Sequence, residues 1–151
     1  MPYLLRTTSL NLDFQSLVKL LDKDLAIRDG EEHAFFAQYN KIDAIKYVVV
    51  AYDDDDVAIG CGAIKEYRDG VMEVKRMFVP LKSRGKGIAS LVLKELETWT
   101  KELGYKKCIL ETGIRQPEAI RLYEKNNYNR IENYGQYVNV ESSVCFEKEL
   151  D

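Results

Sequence analysis

The chain has 151 residues, 46% hydrophobic and 31% charged, which fits one soluble globular domain able to bury a sizeable core. With a formal charge of −3 and an isoelectric point near 5.4, it lacks the basic footprint of a nucleic-acid binder. Apolar runs such as Tyr47 to Tyr52 are too short to span a bilayer, and MPYLLRTTSL lacks the apolar region of a signal peptide, so neither membrane nor export is expected.

Tyr3 to Ser9 reads as a first strand. Ser9 or Asn11 caps a helix to about Arg28, with Phe14, Leu17, Val18, Leu21 and Leu25 at helical spacing, and Asp29-Gly30 ends it. A short second helix is predicted over Glu31 to Tyr39. The period then changes to strands at Ile45–Tyr52, Val57–Tyr67 and Val71–Val79. They are joined by the acidic turn Asp53–Asp56 and the hairpin signal Arg68-Asp69-Gly70.

A glycine-containing basic loop, Ser83–Gly87, opens an amphipathic helix to about Leu103, with Ile88, Val92, Leu96, Trp99 and Leu103 on one face. Gly104 stops it. Lys107–Thr112 is a strand, Pro117 to Asn126 a helix, and Tyr128–Glu132 and Ser142–Leu150 are terminal strands. The order is that of an α+β or mixed α/β domain. Cys61, Cys108 and Cys145 are odd in number, form no C-x-x-C pair and sit in apolar strands. They read as small core hydrophobes in a reducing compartment, the cytoplasm, rather than as a disulfide framework or a zinc site.

The informative stretch is the loop after Pro80. The first amides of a helix have no intrahelical partners and lie at the positive end of its dipole. Here they are joined by Gly85 and Gly87, which allow close approach, and by Lys82, Arg84 and Lys86. Such a site suits a phosphate or pyrophosphate. The spacing is not that of a Walker A loop. Gly85-Lys86-Gly87 begins a dinucleotide fingerprint, but Ser90 holds its third position. Glu111 lies where a ribose-binding acid would sit, so an oxidoreductase domain stays an alternative, although a three-strand meander precedes the only β-α-β unit.

The run Val79-Pro80 through Arg84-Gly85-Lys86-Gly87-Ile88-Ala89 resembles the acetyl-CoA signature of the GNAT superfamily, R/Q-x-x-G-x-G/A. Ile109–Thr112 with Ala119–Lys125 resembles its second motif, in matching order and separation. The resemblance implies a single domain with a mostly antiparallel sheet, a splayed parallel strand pair and about four flanking helices. It implies an N-acetyltransferase that uses acetyl-CoA as cosubstrate and needs no metal.

Residue by residue, it implies that amides from Arg84 to Ala89 (Arg84, Gly85, Lys86, Gly87, Ile88 and Ala89) bind the pyrophosphate. The backbone of Met77, Phe78 and Val79 pairs with pantetheine, as a strand adds to an open sheet edge. Tyr123 donates a proton to the departing thiolate. Glu73, six residues before Val79, stands where some members carry a general base. Gln116 replaces a frequent asparagine and can still hydrogen-bond. Asn127 replaces a glycine after the second motif's helix, where a left-handed residue is needed.

The chemistry wants these groups. An alkylamine with a pKa of about 10.4 is almost wholly protonated at neutral pH, so a base must act, and Glu73 can do so if desolvated. An amide near Val79 can stabilise the oxyanion. For the acceptor side, Asp29, Glu31, Glu32, His33, Phe35, Phe36, Tyr134 and Tyr137 offer acids and aromatics for a cationic amine, polyamine-like or amino-acid-like. The expected partners are acetyl-CoA and a primary amine, most simply of a small molecule. A homodimer is allowed. A protein lysine or N-terminus as acceptor, or an acetyl-CoA-sensing module without turnover, are the alternatives.

Overall fold

The structure is a computed structural model that describes residues 1–32 and 45–151. Most of the helix predicted over Glu31 to Tyr39, with His33, Phe35 and Phe36, lies outside the described residues. Three α-helices are present among the described residues: α1 (Leu12–Asp29), α2 (Ile88–Glu102) and α3 (Pro117–Lys125). Seven strands, β1 (Tyr3–Thr7), β2 (Tyr47–Tyr52), β3 (Ala58–Arg68), β4 (Val71–Phe78), β5 (Lys107–Gly113), β6 (Asn129–Ile131) and β7 (Ser143–Glu149), form one sheet in the order β1-β2-β3-β4-β5-β7-β6. Every neighbouring pair is antiparallel except β4 and β5. A doubly wound dinucleotide-binding sheet is therefore excluded. Among the described residues no helix is long and apolar enough to cross a membrane.

The predicted caps explain where the helices begin and end. Asn11 accepts the Phe14 amide at α1, and Gly30, at φ 56°, returns its N–H to Ala26. Pro117 opens α3, and Asn127 takes φ 70° beyond its end, the left-handed residue expected there.

Alternation on the strands divides the core. Val49, Ala51, Ile64, Met72 and Val74 pack with Val92, Leu93 and Leu96 of α2. Val48, Val50, Cys61 and Ala63 face Phe14, Leu17, Val18 and Leu21 of α1 on the other side. The three cysteines are free and buried, and burial pushes the Cys61 thiol up to about 12 and the Cys108 and Cys145 thiols up to about 11. A thiolate nucleophile at neutral pH is thus disfavoured at each.

Two irregularities position the site. First, β4 and β5 pair only at Val71↔Lys107, Met72↔Cys108 and Glu73↔Ile109; beyond that they part, and β5 continues against β7 alone. Second, Cys61 pairs with Phe78 but Ala63 with Lys75, so Arg76 and Met77 of β4 both oppose Gly62. This is a β-bulge, with Arg76 at φ 59°. Gly62 makes room for it. A Cβ there would collide with Met77 Sδ and lie 2.9 Å from Leu96 and 3.0 Å from Val92.

Gly62→Ala should therefore destabilise the fold by about 1–3 kcal/mol through overpacking, read as a lower urea midpoint at unchanged slope. An unchanged midpoint would show that Met77 is not pinned by the bulge.

Candidate active site

Where β4 and β5 part, a cavity of about 620 Å³ opens between them, flanked by α1 and α3. It crosses the sheet. One end is the loop that enters α2, and the other is the α1 face of the separated strands.

The loop end is built from backbone. Arg84 donates Nε–H to the Val79 carbonyl at 2.8 Å and lies over the Phe78 ring, which folds the loop back on the end of β4. Gly85 and Gly87 take φ 79° and 78°, and a Cβ on either would meet nothing within 4 Å, so the loop surface is open. Leu91 N–H to the Gly87 carbonyl, at 3.1 Å, is the first bond of α2. Among the described residues, the amides of Gly85, Lys86, Gly87, Ile88, Ala89 and Ser90 have no backbone acceptor. That set can hold an anionic diphosphate. The Arg84 amide is outside it, because it donates to the Leu81 carbonyl at 3.3 Å.

Of the residues singled out from sequence, Glu73, Met77, Phe78, Val79, Arg84, Gly85, Gly87, Ile88, Ala89, Gln116 and Tyr123 all line this cavity, and Lys86 does not. Among the described residues no cluster of His, Cys, Asp and Glu is arranged to hold a metal ion.

Tyr123 is 5% exposed, edge-on to Tyr128 and tilted against Phe146. Burial, and then the charge of Glu111, raises its hydroxyl pKa, so it stays protonated. The α1 end is the polar one. Glu73 accepts from Tyr134 Oη at 2.6 Å and from Lys75 Nζ at 3.4 Å. Glu111 accepts from Ser143 Oγ at 2.8 Å, and Tyr137 completes the lining. Burial pushes the Glu111 carboxyl up to about 7; Ser143 and Lys75 oppose this, while Asp29 and Glu73 add to it.

Of the other acceptor-side candidates, Asp29 lines the cavity, whereas Glu32 is held by Arg115 at 3.0 Å and Ser142 at 2.8 Å. Arg28 joins Asp24, at 3.1 Å, to Glu118, tying α1 to α3 beside the opening.

Sequence reasoning gave Glu111 a role only as a ribose-binding acid, and Lys75 only as a pairing partner for Glu73, which the structure shows it to be at 3.4 Å. The available signal was alternation: Glu111 is the one carboxylate between the apolar run Cys108–Leu110 and the strand end.

Residues 14–128 match the sequence profile of the Acetyltransferase (GNAT) family. The chain belongs to that family. It is 37% identical over 93 residues to the IAA acetyltransferase of Azospirillum brasilense, a match covering 61% of each chain. Its fold is similar to that of a Klebsiella pneumoniae chain assigned as an acyl-CoA N-acyltransferase, with a TM-score of 0.84 at 24% identity over 100% of this chain and 99% of that one. It is also similar to the PaiA N-acetyltransferase of Thermoplasma acidophilum, solved in complex with coenzyme A, with a TM-score of 0.72 at 17% identity over 99% of both. This GNAT chain spans 54% to 67% of the length of the first three curated relatives it matches.

Glu111 is a raised acid in the folded state, so folding takes up protons between the ordinary carboxyl range and pH 7, and stability falls as pH rises through that window. Glu111→Gln should remove this loss. The variant should be more stable than the parent at pH 8, by on the order of 3 kcal/mol, and about equal to it at pH 4.5, read by thermal or urea unfolding. Equal stability at pH 8 would place the Glu111 carboxyl in an ordinary, solvated setting.

Proposed function

We propose that this GNAT chain is an acetyl-CoA-dependent N-acetyltransferase that acetylates a primary amine of a small molecule by direct attack in a ternary complex. One observation carries this: a row of loop amides with no backbone acceptor among the described residues and a protonated, buried Tyr123 line the same cavity between two separated strands. The pyrophosphate of acetyl-CoA sits on the amides from Gly85 to Ala89. Pantetheine runs between β4 and β5 along Met77, Phe78 and Val79, which brings the thioester to Tyr123. Gln116 borders that path. The cavity size and the ties of Arg28 to Glu118 and Glu32 to Arg115 suit a small acceptor rather than a protein surface.

Two carboxylates face the acceptor, Glu73 and Glu111. Glu73 is engaged by Tyr134 and Lys75. In this mechanism Glu73 orients the site, and Glu111 is the proton acceptor, its carboxyl poised near neutrality. The Glu111 carboxylate takes one proton from the incoming ammonium and passes it to solvent. The free amine attacks the thioester carbonyl carbon, and the C–N bond forms. The Val79 amide stabilises the oxyanion. Collapse breaks the C–S bond, and the thiolate takes the Tyr123 proton. The nitrogen then returns its second proton to the Tyr123 oxygen. Amide, free thiol and one released proton balance the reaction, with no covalent enzyme intermediate.

Acetyl-CoA should raise the unfolding temperature, and NAD should not. A shift with NAD alone would end the proposal. Gly87→Glu should abolish the acetyl-CoA shift by placing a carboxylate in the diphosphate site, while the ligand-free protein still unfolds cooperatively. Tyr123→Phe should keep that shift and lower kcat about a hundredfold in a thiol-release assay with amine acceptors. Unchanged turnover would remove Tyr123 from the mechanism.

A further inference from the structure

Arg76 is the most unusual charge in the molecule. Its side chain is 2% exposed, and only Nη2 is bonded, to Asp22 Oδ1 of α1 at 2.7 Å. Nε and Nη1 are buried and find no hydrogen-bond partner among the described residues. A buried guanidinium with open donors is costly and rarely left so without a reason. It is also held in a left-handed backbone that a bulky residue does not favour, at φ 59°. Strain and unmet donors at one residue of a cavity wall point to a function.

The bulge explains how it got there. In a regular strand, neighbours point to opposite faces, so Lys75 and Arg76 would be separated by the sheet. Because two residues oppose Gly62, Met77 packs toward α2 while Arg76 reaches Asp22 of α1. Lys75, paired opposite Ala63, belongs to that same α1 side. Both cations therefore line the acceptor end of the cavity, together with Glu73 and Glu111. Its lining there is mixed, with carboxylates and cations side by side.

We infer that the acceptor is a zwitterion, an amine that carries a carboxylate as an amino acid does, and that Arg76 is the residue that selects it. This rests on the acetyl-transfer reading above and narrows it. The amine faces Glu111, and the carboxylate accepts a charge-assisted hydrogen bond at an edge of the Arg76 guanidinium that Asp22 leaves open, from Nε–H or from Nη1–H. A polyamine would instead set its second ammonium against Lys75 and Arg76. A site built to hydrogen-bond a polar group rejects the analogue lacking it, because its own groups are left unpaired.

The test uses the full chain, the common amino acids and, for each, the amine left when its carboxylate is removed. Thiol release should favour the preferred amino acid over its own amine by tenfold or more in kcat/KM, chiefly through KM. Arg76→Gln should erase that ratio by raising KM for the amino acid, and should leave the carboxylate-free amine and the acetyl-CoA thermal shift as they were. Asp22→Asn breaks the same ion pair but keeps the guanidinium, and should retain the ratio. A preference for the carboxylate-free amines, or an Arg76→Gln loss equal for both members of a pair, overturns the inference and leaves Arg76 as a tie to α1.

Binding is read separately, by thermal shift with coenzyme A present. Amino acids should stabilise the parent and not Arg76→Gln. Stabilisation by none of them overturns the inference even if amines are acetylated. Amino-acid binding that needs Arg76, without any thiol release, sinks the catalytic proposal and leaves the recognition of a carboxylate standing.

Discussion

Everything in this molecule follows from two parallel strands that cannot stay together. After Glu73↔Ile109, β4 and β5 share no further register, although each remains paired on its other side. Backbone donors and acceptors inside a fold need partners, and a gap between strands leaves them facing one another across open space. The bulge at Arg76 enforces this. It bends β4, adds twist and turns Met77 under α2, where Gly62 leaves the room that a side chain would fill. The gap is thus a built opening, held apart by the packing of two helices on opposite faces.

The polar groups of the cavity sort themselves by how they are supported. The loop end relies on backbone amides, fixed by Arg84 gripping the Val79 carbonyl, and needs only glycine and a helix start. A site of this kind reads charge and shape but not side-chain identity. The α1 end relies on side chains from three elements: Glu73 and Lys75 on β4, Glu111 on β5, and Tyr134 and Tyr137 from the turn before β7. Chemistry common to a family can sit on the first, and discrimination between acceptors on the second. The position of Tyr123 at the crossing suits a group that serves both halves.

Much of this was legible in the sequence, for identifiable reasons. The helical spacing from Phe14 to Leu25, the Asp29-Gly30 stop, the period-two strands around Arg68-Asp69-Gly70 and the loop before Ile88 are local signals, and the structure follows each within a residue or two. Asn127 takes the left-handed turn expected of it. What was not legible is long-range. That β7 inserts between β5 and β6 depends on pairing across the chain. The bulge depends on a count of residues against β3, so alternation alone would put Arg76 and Lys75 on opposite faces. Glu111 reads as one acid at a strand end until the fold sets it in the cavity wall that Tyr137 shares, bonded to Ser143. The gap between Arg84 as a motif residue and Arg84 as found is similar: its amide is used within the loop, and its guanidinium is the clamp.

Stability and function pull against each other at the α1 end, and the direction is informative. A carboxyl forced up to about 7 and a guanidinium with two donors that find no partner among the described residues both weaken the fold. Among the described residues neither belongs to an ion pair that offsets its burial: Glu111 is met by a hydroxyl, and Arg76 by one oxygen of a half-exposed Asp22. Elsewhere in the chain, buried charge is treated differently. Glu97 is closed in by Tyr128 and Lys148 at 2.9 Å each, leaving nothing to recruit. The same fold satisfies one buried acid completely and leaves Nε and Nη1 of Arg76 without partners among the described residues. A ligand that brings an ammonium to one and an anion to the other would relieve both costs at once, and binding would be strongest for the molecule that does so.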